Sequence, residues 1–163
     1  MIADMQKWTP NIASIIEHAN QFHPNTEVVS RMVSGNIHKT NYSEVCTRSR
    51  KLASALEKDG YKEGDVIATL ALNTYRHLEM YYGISGMGGI NHTLNFRLHP
   101  EQAVYIINHA EDKVIFCETP FIPILEGLQE NLECVEKYII LCDTSEMPDT
   151  KLKNAISYEE YIK

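Results

Sequence analysis

The chain has no basic run, no paired cysteines and no long apolar stretch, and each absence removes a class of function. Of its 163 residues, 15 are Lys or Arg and 22 are Asp or Glu, giving a net charge of −7. A phosphate backbone is gripped by clustered cations, and here they are scattered among acids, so nucleic acid is not an expected partner. The four cysteines, Cys46, Cys117, Cys134 and Cys142, lie far apart and form neither a C-x-x-C pair nor a Cys/His ligand set. That usage suits a reduced, cytoplasmic protein. Residues 1–10 include Asp4 and no apolar leader core, and no apolar run approaches the length that spans a bilayer. Also missing are the phosphate loop G-x-x-x-x-G-K-[ST], the G-x-S-x-G elbow around Ser43 or Ser85, and any H-E-x-x-H pair among the seven histidines. His77, His92, His99 and His109 are therefore read as solvated or hydrogen-bonded. Trp8 and the nine tyrosines are read as packing residues.

What is present is ordinary material for one α/β core, 44% hydrophobic and 23% charged. Ile12, Ile15, Ile16 and Ala19 fall at helical spacing and stop near Pro24. Two β-prone runs, 27–33 and 37–39, flank Ser34-Gly35-Asn36 and predict a hairpin. Asn41-Tyr42-Ser43-Glu44 fits a capping box, and a helix with its stripe on Val45, Cys46, Leu52 and Leu56 then runs to a left-handed stop at Gly60. From there the chain alternates. Val66–Leu72 is nearly continuous in apolar residues, as in a strand covered on both faces. Asn73-Thr74 then caps a helix through Ile84. Strands near Ile90–Leu94, Lys113–Cys117 and Tyr138–Cys142 follow, separated by helices at 101–111 and 120–128, the first with Pro100 in its opening turn. The expected fold is α/β: a doubly wound, mainly parallel sheet with flanking helices, plus a small N-terminal β-hairpin. Residues 144–153 read as a polar linker. Ser157-Tyr158-Glu159-Glu160 is a second capping box with barely a turn of helix after it, so the helix begun at 157–163 looks incomplete and the chain truncated.

The stretches G-D-V-I-A-T-L-A-L-N (64–73), H-T-L-N-F-R-L-H-P-E-Q (92–102) and N-H-A-E-D-K (108–113), with Y-x-E at 42–44 and L-A-x-A-L-x-x-x-G at 52–60, resemble the N-terminal region of fatty-acyl-CoA synthetases. These belong to the adenylate-forming, AMP-binding superfamily. The resemblance covers almost all of this chain but only the first part of a full synthetase. It implies that residues 1–163 form an N-terminal α/β subdomain of a fatty-acid–CoA ligase, whose remaining chain would be its partner. The full enzyme would use ATP, magnesium and CoA to turn a fatty acid into an acyl-adenylate and then a thioester. The family's Ser/Thr/Gly-rich ATP loop ending in Pro-Lys does not occur here, so the fragment is expected to bind none of these cofactors by itself and to be inactive. Medium or long acyl chains are favoured over acetate by analogy alone. A cut fragment exposes apolar surface, and self-association as a homodimer would follow from that.

The alternative is a stand-alone α/β binding or assembly module without catalysis. A dinucleotide-binding domain fits less well, because the glycines of 83–89 close a helix and precede a strand instead of following a strand and opening a helix. Close helix-to-sheet packing, with backbones brought near one another, is their expected use. Candidate ligand residues are Asn73, Asn91, Asn95 and Arg97, placed after strand ends where open α/β sheets bind ligands. Arg97 has two uses: contact to a CoA phosphate or a carboxylate, or closing a turn by bonding carbonyls. Where the family usually has Pro, this chain has Phe96, which leaves φ unfixed and the turn looser.

Overall fold

The sequence alternation at residues 67–68, 115–116 and 139–140 divides the core into two layers in the computed structural model, which describes residues 11–163. Trp8 and the N-terminal stretch lie outside the described residues. Successive side chains of a strand face opposite ways. Ile67, Phe116 and Ile139 therefore pack with Leu52, Leu56, Ile84 and Tyr158 on one face, and Ala68, Ile115 and Ile140 with Ile107 and Leu125 on the other. A five-stranded sheet lies between them. Its strands are β3 (Val66–Leu70), β4 (Ile90–Thr93), β5 (Val114–Cys117), β6 (Lys137–Ile140) and β7 (Ala155–Ser157). Their order is β4-β3-β5-β6-β7, with every pairing parallel. The expected single parallel sheet is observed, with one addition. Strand β7 lies inside a segment without strand character, and three residues on the sheet's edge are too few to leave a period in the sequence.

Residues 12–41 form a helix and a hairpin outside the main sheet. Helix α1 (Ile12–Phe22) starts where the Asn11 side chain accepts the Ser14 amide at 2.8 Å, and it buries Ile16 against Val45 and Cys46. Strands β1 (Glu27–Arg31) and β2 (Ile37–Asn41) make a two-stranded antiparallel sheet separate from the main one. Helix α2 (Tyr42–Lys58) has half of the expected capping box. Asn41 accepts the Glu44 amide at 2.9 Å, whereas the Glu44 carboxylate takes the Thr40 hydroxyl at 2.8 Å in place of the cap amide. Gly60 ends the helix at φ +96°, the left-handed value that lets the Tyr61 amide reach back to the Leu56 carbonyl at 3.0 Å.

Helix α3 (Tyr75–Gly86) crosses α2 at close range because Gly83 has no side chain. A Cβ there would stand 2.8 Å from the Ser49 carbonyl oxygen and 2.9 Å from Leu52 Cδ2. The other face carries α4 (Pro100–Ala110) and α5 (Ile122–Leu128), the latter entered through a 3₁₀ turn over Thr119–Phe121. The final turn, α6 (Tyr158–Tyr161), starts where Ser157 Oγ accepts the Glu160 amide, and it packs Tyr158 wholly out of solvent. A single turn is not stable by itself. Tertiary contacts hold it.

Candidate functional site

The chain runs from β3 outward to β4, then crosses back over β3 to β5, so the winding reverses between β3 and β5. Ligands of open α/β sheets sit beyond the carboxyl ends of the strands at such a reversal. Two segments meet there: the turn after β3, 71–74, and the residues after β5, which begin with Glu118. The expected ligand face lay after the ends of β3 and β4, which are neighbours in the sheet. The strand order could not be read from spacing, and it moves Asn91, Asn95 and Arg97 to the outer flank.

The β3–α3 turn is fixed from several sides. The Thr74 amide donates to the Leu72 carbonyl at 2.8 Å, closing a three-residue turn with Asn73 at its exposed centre. Thr74 Oγ1 donates to Glu118 at 3.3 Å, and burial pushes the Glu118 carboxyl upward from its ordinary range, with Thr74 and Arg76 partly opposing. Tyr75 stacks on His38 of the hairpin, ring centres 3.8 Å apart. Arg76, 4% exposed, donates to the Leu141 carbonyl at 3.3 Å, to Glu159 at 2.9 Å and to Asp143.

Arg76 shares Glu159 with Arg48 of α2, whose two terminal nitrogens grip that carboxylate at 2.8 and 3.0 Å while its Nε donates to Glu79 at 2.7 Å. The Tyr158 hydroxyl donates to the other Glu79 oxygen at 2.8 Å. Burial raises Glu79 despite Arg48 and Tyr158. Burial also opposes ionisation of Glu159, yet hydrogen bonds from Arg48 and Arg76 outweigh it and hold that carboxyl below its usual range. This cluster joins α2, α3, the β6 end and α6. Its cations are already paired with acids, which makes it a clasp.

The four residues expected at a ligand face separate in the structure. Asn73 borders a recess of about 240 Å³ together with Val29, Tyr75, His77 and Tyr81. Asn91 is inside β4, not after it, and its side chain meets Thr69 at 3.4 Å on the α3 face of the sheet. Asn95 accepts the Arg97 amide at 3.0 Å and so closes the turn that Phe96 leaves loose. Phe96 stacks on Phe121 with centres 5.1 Å apart, a second brace where the resemblance has Pro. The Arg97 guanidinium lies over the Phe96 ring at 5.5 Å, and among the described residues it bonds no turn carbonyl.

Sequence reasoning missed Arg48, Arg76, Glu79, Glu118 and Glu159. Glu118 carried a legible signal, an acid directly after an apolar strand. Arg48 and Glu159, 111 positions apart, carried none. His77 and His92 are hydrogen-bonded as expected, to Thr69 and Asp112. The buried thiols are poor nucleophiles, since burial pushes Cys117 and Cys142 upward, Cys142 to about 11.

Residues 16–160 match the family model described as AMP-binding enzyme. The chain is 40% identical over 162 residues to a medium-chain-fatty-acid–CoA ligase of Ectopseudomonas oleovorans and 36% identical over 162 residues to a 3-methylmercaptopropionyl-CoA ligase of Ruegeria pomeroyi. In each case the match covers 99% of this chain and 30% of the relative. A crystal structure of an anthranilate CoA ligase in complex with anthranoyl-AMP superposes with a TM-score of 0.83 at 19% identity, over 98% of this chain and 29% of that one, which shows the shared fold. No described helix is long and apolar enough to cross a membrane.

Proposed function

Because the chain belongs to the AMP-binding enzyme family, we propose that its 163 residues are the N-terminal α/β subdomain of a fatty-acid–CoA ligase. The complete enzyme would activate a fatty acid with ATP to an acyl-adenylate and transfer the acyl group to CoA. The observation that carries this reading is the 40% identity to a medium-chain-fatty-acid–CoA ligase along nearly the whole chain. The rest of that enzyme would be its partner, lying against the strand-end surface where Asn73, Asn95 and Arg97 are exposed.

Among the described residues, no three His, Cys, Asp or Glu side chains are grouped to hold a metal ion, and the sequence has no phosphate loop. The donor set here does not fit ATP and magnesium. These residues would instead supply a rigid wall: the clasped β3–α3 turn presents Asn73, and the exposed guanidinium of Arg97 presents donors to an anionic group such as a CoA phosphate or a carboxylate.

The test is a chimera in which residues 1–163 replace the matching stretch of a medium-chain fatty-acid–CoA ligase. It should form acyl-CoA, while the 163-residue chain alone should show no acid-dependent exchange of pyrophosphate into ATP. A folded chimera without ligase activity overturns the family role, and exchange by the chain alone overturns the scaffold role.

A further inference from the structure

Four polar groups from three elements and one turn form a line behind Asn73. The Asn91 amide oxygen of β4 lies 3.4 Å from Thr69 Oγ1 of β3. Thr69 Oγ1 is 3.2 Å from His77 Nε2 of α3, and His77 Nδ1 is 3.2 Å from the Leu72 carbonyl oxygen. Asn91 Nδ2 is buried without a hydrogen-bond partner.

Counting protons along this line exposes a conflict. A carbonyl only accepts, so Nδ1 must carry a proton. The threonine has one proton. If Thr69 gives it to Asn91, Nε2 must bring its own proton to reach Thr69, and the ring becomes a cation. Yet His77 is 6% exposed, burial lowers its pKa, and no charged group offsets that. The titratable groups around the ring are the Tyr81 phenol of α3, stacked with centres 4.8 Å apart, and the Tyr75 phenol, which lines the same recess as His77. Thr69 and Asn91 face the ring from β3 and β4, and Val28, Val29 and Ser30 of β1 border the same recess without charge. A half-turn of the Asn91 amide removes both difficulties. Nδ2 then donates to Thr69, Thr69 donates to Nε2, and Nδ1–H donates to Leu72. What stays unmatched is a carbonyl oxygen, which tolerates that better than an N–H does.

We propose that His77 is a positioning residue in its neutral Nδ1–H form, held by the one-way relay from Asn91 through Thr69 to His77 and Leu72, and that this relay fixes the turn displaying Asn73. The value of that turn to catalysis rests on the ligand-facing role proposed for Asn73 above; the relay itself does not. Protonation of His77 reverses the line. Both ring nitrogens then donate, the Thr69 proton turns to Asn91, and the amide must rotate back and leave Nδ2 unpaired. His77 titration and Asn91 orientation are therefore one event.

Long-range proton–nitrogen correlation on the histidine- and asparagine-labelled 163-residue chain tests this without a mutation. At about pH 8, Nδ1 should be protonated and Nε2 bare. On acidification, the Asn91 side-chain amide signals should move with the same midpoint as His77, below about 6.5. An Nε2–H tautomer, a midpoint at or above that value, or Asn91 signals that ignore the titration overturns the relay. In the chimera, His77→Asn keeps a donor at the Nδ1 position and should leave Michaelis constants within about two-fold, while folded His77→Gln and His77→Leu should raise them about ten-fold. Equal constants in all three variants, with the tautomer as stated, keep the relay and overturn the ligand-facing role of Asn73.

Discussion

Asp112 is fully buried after α4, with both carboxylate oxygens within 3.0 Å of His92 Nδ1. Burial raises its pKa from 3.8 to about 6, and His92 only partly offsets this. A carboxyl whose folded pKa is raised contributes stability that is present below its unfolded value and lost as pH rises through the folded one. The window here is about pH 4 to 6. Asp112→Asn should flatten the fall in urea midpoint across that window relative to the parent chain. An unchanged slope would mean that another carboxyl, such as buried Glu79 or Glu118, sets it. Arg97 is tested at the same scale. Its guanidinium lies over Phe96 with its donors exposed, so Arg97→Ala in the chimera should leave the melting temperature unchanged. A charge-assisted contact is worth about 1.5–3 kcal/mol, so CoA or fatty-acid Michaelis constants should rise roughly ten- to hundred-fold. Unchanged constants with a lower melting point would assign Arg97 to structure.

Between elements, α2 and α3 approach closely at Gly83. The glycine run 83–89 was expected to serve close helix-to-sheet packing; Gly83 instead packs against helix α2, Gly86 faces open space, and Gly89 alone of the run approaches a sheet side chain, Ile67. Gly83→Ala would place a methyl group within 3 Å of the Ser49 carbonyl and of Leu52, and the carbonyl cannot move without shifting α2. Overpacking of this kind costs about 1–3 kcal/mol. Thermal or urea unfolding should show that loss, and a gain from alanine's better helix propensity would show that the helices separate freely. Gly86, with open space around its position, is the control. Gly86→Ala should be neutral or stabilising.

Across the whole molecule, the Arg48–Glu79–Arg76–Glu159 clasp ties residues 31 to 111 positions apart and holds the last turn of helix to the first large one. Glu159→Ala removes the carboxylate shared by two guanidinium groups, one of them 95% buried in its side chain. Breaking a buried pair costs about 3–5 kcal/mol, and the 22% exposure of Glu159 places this case at about 2–3 kcal/mol. Glu159→Gln should lose less, because one oxygen still accepts. Equal stability of Glu159→Ala and the parent would mean that water replaces the clasp at no cost, and that packing of Tyr158 alone holds α6.

The order of helices and strands, the hairpin turn at Gly35, the stop at Gly60 and the two-sided burial of β3, β5 and β6 follow from periods, caps and breakers within a dozen residues of one another, and such signals are local. Asn73 and Asn95 were expected beyond strand ends, and they lie in the turns that follow β3 and β4. The tertiary structure alone decided the rest. Strand order put the reversal between β3 and β5, which spacing could not tell because either neighbour satisfies the same apolar pattern. Strand β7 exists only because β6 offers it an edge. Arg48, Arg76 and Glu159 became a clasp, and Asn91, Thr69 and His77 a line, because the fold brings distant polar groups into low dielectric. There an unpaired polar group is costly.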